Sequence, residues 1–192
     1  MTISKRALGV ALFAMATAGL GAGVAPAAAK SAKSVMVGGA PMLPTKNIIE
    51  NAVNSKDHTT LVAAVKAAGL VDTLSGPGPF TVFVPTNGAF GKLPAGTVET
   101  LVKPENKTTL TGILTYHVVS GAMDSKAIAK AIKAGRGKAV LKTVGGGDLT
   151  ATMAGKRLKL IDAKGGASTV TIANVYQSNG VIHVVDTVLM PQ

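Results

Sequence analysis

The chain has 192 residues, a formal net charge of +11, and neither cysteine nor tryptophan. Without thiols it has no disulfide framework and no cysteine chemistry, and aromatics at 3% argue against a base-stacking nucleic-acid platform. The excess of basic over acidic residues favours an anionic partner or surface.

Lys5 and Arg6 precede an apolar, small-residue run from Ala7 to Val24, and Ala27-Ala28-Ala29 fits an A-x-A cleavage pattern. Residues 1–29 therefore read as a cleavable signal peptide. Its removal takes Lys5 and Arg6 with it and leaves a net charge of +9. The same run as a membrane anchor is the competing reading, but glycines and alanines dilute it and the cleavage pattern follows directly. The expectation is a secreted or periplasmic protein with no stable membrane insertion after cleavage. About 160 residues then remain, enough for one domain with its own core.

Residues 30–44 are rich in Ala, Ser, Gly and Lys with Pro41 and Pro44, and read as a flexible N-terminal arm. A domain is expected over 45–192. It opens with a short stripe, Ile48, Ile49 and Val53, followed by a helix capped by Asp57 with Leu61, Ala64, Val65 and Ala68 on one face and Gly69 after its end. Gly76-Pro77-Gly78-Pro79 is a stiff loop feeding Phe80-Thr81-Val82-Phe83-Val84, an apolar run that predicts a strand buried on both faces. Pro85 ends that strand, Thr86 is placed to cap the turn that follows, and Ala89 and Phe90 turn back to the core. A short helix carries Val98, Leu101 and Val102. The next begins near Pro104 and buries Leu110, Ile113 and Leu114, with Gly112 costing it about 1 kcal/mol. Tyr116-His117-Val118-Val119 leaves it as a strand, and Asp124 or Ser125 starts a helix with Ile128 and Ile132 inward.

From Ala139 the hydrophobic period changes from 3.6 to 2. Val140–Val144, Leu149–Met153, Arg157–Asp162, Ser168–Ala173 and Val181–Val185 are strand candidates separated by glycine-bearing turns. Helices first and a meander afterwards make an α+β arrangement, with the Phe80 strand joining the sheet from far away in sequence.

Three segments in order, FTVFVPTNGAF from Phe80, LTYHVVSG from Leu114 and NGVIHVVDTVLMP from Asn179, together resemble the fasciclin (FAS1) domain, its first homology block, Tyr-His motif and second homology block. NIIENAV and LVAAVKAAGLVDTL are similar to the family's opening helices. The sequence departs at Val84, where alanine is usual, at Gly88, where an acidic or larger residue is common, and at Ser120, where proline often stands. The resemblance implies a wedge-shaped antiparallel β-sandwich with several short helices along one edge. It also implies a non-catalytic adhesion or extracellular-interaction module without a cofactor. The family's Tyr-His motif would map a partner-binding surface to Leu114, Tyr116, His117, Val118 and Val119. Pro85, Thr86, Asn87 and Asp186 would be structural members of the blocks. Because some fasciclin proteins bind carotenoids, carriage of a hydrophobic small molecule is the alternative function, with Met36, Met42 and Met123 as adaptable contacts.

His117 invites a dyad with Asp186, but no nucleophile accompanies it, and a buried histidine held by a carboxylate or carbonyl is the expected state. His58, His117 and His183 lack metal-ligand spacing. Gly145-Gly146-Gly147 leads to another strand, not to a phosphate-binding helix. Charge is more informative. Between Lys126 and Lys164 lie ten basic residues against Asp148 and Asp162, and Lys126, Lys130 and Lys133 make one ridge opposite Ile128 and Ile132 that continues to Arg136 and Lys138. Such a surface either keeps the protein soluble or attaches it to a cell-surface protein, an anionic polysaccharide or lipid head groups.

Overall fold

The computed structural model describes residues 34–192. The expected signal peptide lies outside the described residues. In chain order the elements begin with strands β1 (Val35–Val37) and β2 (Ala40–Met42) and helices α1 (Ile48–Ala52), α2 (Thr59–Ala68) and α3 (Val71–Ser75). Strand β3 (Phe80–Pro85), helices α4 (Asn87–Gly91), α5 (Thr97–Leu101) and α6 (Lys107–Tyr116), strand β4 (Val118–Ser120) and helix α7 (Ser125–Ala134) follow. The last part is all strand: β5 (Lys138–Lys142), β6 (Asp148–Ala154), β7 (Arg157–Ile161), β8 (Ala167–Gln177) and β9 (Gly180–Val185).

Seven strands form one sheet in the order β4-β3-β9-β8-β7-β6-β5. Every pairing is antiparallel except β3 with β9, which run parallel from Phe80 opposite Gly180 to Pro85 opposite Val185. The sheet curls until its two ends touch: Val119 in β4 bridges Thr143 just past β5, and the Val144 N–H donates to the Val118 carbonyl. The outcome is a nearly closed, mostly antiparallel barrel-like sheet combined with helices, the α+β class that the change of period predicts.

Two cores lie on opposite faces of β3 and β9. Val82, Val84, Ile182 and Val184 face the helices, packing with Ile48, Leu61, Val65, Phe90, Leu110, Ile113 and Leu114. Phe83 and Val185 face into the curl with Leu141, Leu149, Leu160, Val170 and Leu189, and Ile128 and Ile132 of α7 close that space. Phe83 is fully buried and stacks on the His183 ring at 5.6 Å between centroids. Burial of both faces explains the unbroken apolar run of β3.

Two expectations are corrected. The segment read as a flexible arm to Pro44 instead forms the β1–β2 hairpin from Val35, with Gly38 and Gly39 at positive φ in its two-residue turn. Val37 and Met42 are buried in the helix-side core, and the Asn51 side chain holds the hairpin's exit by accepting from the Leu43 N–H and donating to its carbonyl. A few buried side chains plus satisfied backbone outweigh a composition that looks disordered. Asp57 does not cap α2: a turn of 3-10 helix over Lys56–His58 runs into it. Pro104 similarly opens a 3-10 turn ahead of α6.

Two glycines test this architecture in opposite directions. A Cβ on Gly180 would run into the Phe80 carbonyl across the parallel pair, whereas a Cβ on Gly112 in α6 would meet nothing within 4 Å. Gly180→Ala is expected to lower stability by roughly 1–3 kcal/mol, because backbone must shift, and Gly112→Ala to raise it by about 1 kcal/mol. Urea denaturation midpoints check both.

Candidate functional site

The three segments that carry the family resemblance meet in space. β3 lies between β4 and β9, so the Phe83 N–H donates to the His117 carbonyl at 2.9 Å on one side, and the Thr86 N–H donates to the Val185 carbonyl on the other. Thr86 caps α4 by accepting from the Ala89 N–H, as expected. Asn87 accepts from the Thr60 N–H and donates to the Lys56 carbonyl, fastening the corner to the start of α2. Pro85 is buried at the end of the strand.

Tyr116 ends α6 and His117 caps it. The Leu189 N–H donates to His117 Nε2 at 3.0 Å, which fixes that nitrogen as the bare acceptor; Nδ1 therefore carries the proton and donates to the Ile113 carbonyl at 2.8 Å. The ring is a clamp between helix α6 and the C-terminal segment. Tyr116 does the same for the other side, its hydroxyl donating to the Asp148 carbonyl at 2.6 Å and accepting from the Ala163 N–H. Burial raises the Tyr116 phenol's pKa. Asp162 accepts from the Lys164, Gly166 and Met190 N–H groups and completes the frame.

The dyad does not form. Asp186 accepts instead from the Thr169 N–H at 2.8 Å and from the Thr187 and Ser168 hydroxyls; burial pushes its carboxyl up, but these donors and Lys92 hold it below the usual range. His117 is thus the buried, carbonyl-held histidine that the sequence reading favours over an acid/base pair. Leu114, Tyr116, His117, Val118 and Val119 are all at most 5% exposed, so the docking surface assigned to them is corrected: they are core, not surface. Their apolar pattern signals burial, and the direction of that burial is set by strands distant in sequence.

His58 and His183 are buried as well. His58 lies against Ser55 Oγ, which donates to the Val37 carbonyl and so accepts from His58 Nδ1–H; His183 Nε2–H donates to the Met123 carbonyl. Among the described residues, no three or more His, Asp or Glu side chains converge on a point that could hold a metal ion. Of the three methionines read as ligand contacts, Met42 is core, Met36 is exposed and Met123 is half-buried. An apolar enclosure lined by Ile48, Leu61, Val65, Val82, Leu114 and His117 has a volume near 30 Å³. The open cleft of 760 Å³ beside Tyr116 is floored by Gly145-Gly146-Gly147, and Asp148 in it is paired with Lys142 at 2.5 Å.

The exposed charges remain. Lys126, Lys130, Lys133, Arg136 and Lys138 are all exposed, the first three on α7 opposite buried Ile128 and Ile132. The basic residues further along the chain point elsewhere. Lys138, Lys142, Arg157 and Lys159 alternate with buried Ala139, Leu141, Leu158 and Leu160, which share their core with Ile128 and Ile132. The sheet's cations therefore face away from α7, and one run of basic sequence becomes two surfaces. Sequence reading also passes over the side chains that tie the elements together. Asn179 accepts from the Ile48 N–H and donates to the Leu74 and Gly76 carbonyls, and Asn174 pairs with the Ser125 hydroxyl and N–H. The Asn-Gly pair before β9 is a turn signal, but its long-range role has no local signature.

Burial lowers the pKa of all three histidines, that of His117 to about 4. An unfolded chain binds that proton near pH 6.5 and the folded chain does not until about pH 4, so stability is greatest above pH 6.5 and falls with acidification. For His117 alone the loss across this window is roughly 3 kcal/mol. Urea titrations at pH 7 and pH 4.5 measure it, and His117→Gln, though less stable at pH 7, is expected to show a shallower pH dependence.

A fasciclin-domain family model matches residues 56–191. A protein of Synechocystis sp., Protein sll1483, is 46% identical over 159 residues, covering 83% of this chain and 81% of that one. Two proteins of Mycobacterium bovis, the immunogenic protein MPB70 and the cell surface glycolipoprotein MPB83, are each 37% identical over 145 residues, 73% of this chain and 66% and 58% of theirs. Among solved structures, the FAS1 domain pair of the insect cell adhesion molecule Fasciclin I superposes with a TM-score of 0.66 at 20% identity, covering 76% of this chain and 51% of that pair, and so shares the fold. The chain belongs to the fasciclin-domain family.

Proposed function

We propose that this chain is an exported fasciclin-domain module that acts by non-covalent attachment at the cell surface or in its surroundings, without catalysis. The observation that carries the reading is the engagement of its candidate acid and base groups within the fold. His117, Asp162 and Asp186 spend their hydrogen-bonding capacity on backbone and hydroxyl groups inside the fold, leaving no poised acid, base or nucleophile among them. The names of relatives support the location: one is a cell surface glycolipoprotein and one a cell adhesion molecule. No helix among the described residues is long and apolar enough to cross a membrane. Adhesion is favoured over carriage of a carotenoid or lipid because the apolar enclosure beside His117, near 30 Å³, is far below the roughly 300 Å³ or more of small-molecule sites, and the 760 Å³ cleft beside Tyr116 is open and lined by glycines, threonines and the charged Lys142, Asp148 and Asp162.

Deleting residues 45–192 in the producing cell is expected to reduce cell attachment or aggregation, restored by the intact chain. Unchanged attachment would count against the proposal. Purified protein that is coloured, or that takes up pigment or lipid, would favour the carrier instead.

A further inference from the structure

On the outer face of β5, β6 and β7, Lys138, Val140, Lys142, Ala154 and Arg157 are exposed, and the side chains are arranged in register. Lys138 on β5 lies opposite Thr152 on β6, which lies opposite Lys159 on β7 and then Thr169 on β8. The next row out from Lys159 places Arg157 opposite Ala154, and the row on the other side places Val140, Thr150 and Ile161 together. β6 thus presents a strip of small side chains, Thr150, Thr152 and Ala154. Lys138 and Lys142 border it on one side, Arg157 and Lys159 on the other, and the two borders are about 10 Å apart. Asp148 is the one acid on the three strands, and it is taken by Lys142. Lys138, Arg157 and Lys159 have no ion-pair partner among the described residues.

We propose that this face is a docking surface for an acidic polysaccharide, lying extended along β6. The inference rests on the attachment function above and names its partner class. Cations on both borders would neutralise carboxylates on either side of a polysaccharide chain, while Thr150 and Thr152 offer hydroxyls to its own hydroxyl groups between them. The ridge on α7 is a poorer site. Its three lysines form a single row on a convex helix, able to meet a polymer from one side only. A membrane is a poorer occupant, because the face carries no aromatic side chain to anchor at the interface and its outward apolar residues are isolated among threonines and cations.

The test compares the full chain with two variants that remove equal charge, the face triple K138Q/R157Q/K159Q and the ridge triple K126Q/K130Q/K133Q. The probe is polygalacturonate, with dextran as the neutral control and phosphatidylglycerol vesicles as the lipid arm. The intact chain is expected to bind polygalacturonate and not dextran, weakening steeply between roughly 50 and roughly 300 mM salt. The face triple should bind about tenfold or more weakly and the ridge triple within about threefold of the intact chain, with unchanged thermal unfolding for both. Equal losses in the two triples, a larger loss in the ridge triple, absence of polygalacturonate binding, or tighter binding to vesicles that the face triple abolishes would each overturn the proposal. Attachment to cells separates the two levels. Attachment by the intact chain without polygalacturonate binding removes the glycan and leaves the attachment function standing, whereas loss of attachment itself removes the function.

Discussion

The parallel pairing of β3 with β9 is the constraint on which the rest depends. It joins residues one hundred positions apart in register, Phe80 with Gly180 through Pro85 with Val185, and it is the sheet's single parallel contact. Because side chains alternate along a strand, each of these two strands contributes to both cores, Val82 and Val84 to the helix side and Phe83 to the curl. Closing so long a loop costs conformational entropy before any contact offsets it, so the pairing depends on burying both faces at once. Gly180 belongs to that requirement, since the Phe80 carbonyl occupies the space where a side chain would start. Asn179, just before it, fastens α1 and the end of α3 to the same point, so the helical layer is positioned by the strand pair.

The same constraint decides what the tyrosine–histidine pair can do. With β4 held against β3, Tyr116 and His117 fall at the meeting of α6, the Gly145–Gly147 turn and the C-terminal segment. Each ring is gripped from two sides by main-chain groups. A histidine whose two nitrogens are occupied in this way, and whose charged form is disfavoured by burial, is neutral and oriented, which suits a strut and not a proton carrier. The pair shapes the outer surface by fixing the elements that present it.

How much of this was legible in the sequence depends on the range of the interaction. The change from period 3.6 to period 2 near Ala139 places all five late strands, because alternation is local and each glycine-bearing turn marks a boundary. Thr86 was readable as a cap for the same reason, and the start of α7 was narrowed to Asp124 or Ser125, of which Asp124 is the cap; the partner in each case is three residues away. The β1–β2 hairpin was not, although Gly38-Gly39 between VMV and APM is a two-residue hairpin signal. Its composition pointed to disorder, and the burial that holds Val37 and Met42 comes from the helix-side core. The supposed contact surface around Tyr116 failed similarly. An apolar run identifies what is buried, but only long-range pairing determines which neighbours bury it.

Period two also separates charges that look contiguous in the sequence, and it bears on why they are there. Lysines on β5 have a sufficient structural reason, since β5 ends the strand order and meets β4 at one bridge only. Charged side chains on such an edge discourage pairing with another chain. That reason does not extend to Lys159, which lies on β7 between Thr152 of β6 and Thr169 of β8, where edge protection explains nothing; Arg157, on the same face, is paired with β6 and lies beyond the last residue that β8 pairs. Solubility does not explain them either, because a charge anywhere on the surface would serve, and mixed signs would serve as well without the mutual repulsion of like charges two residues apart. What distinguishes their position is that they face Lys138 across a strip of threonines. An interior strand that carries unpaired cations there is explained when the repulsion is relieved by an anion from outside the chain.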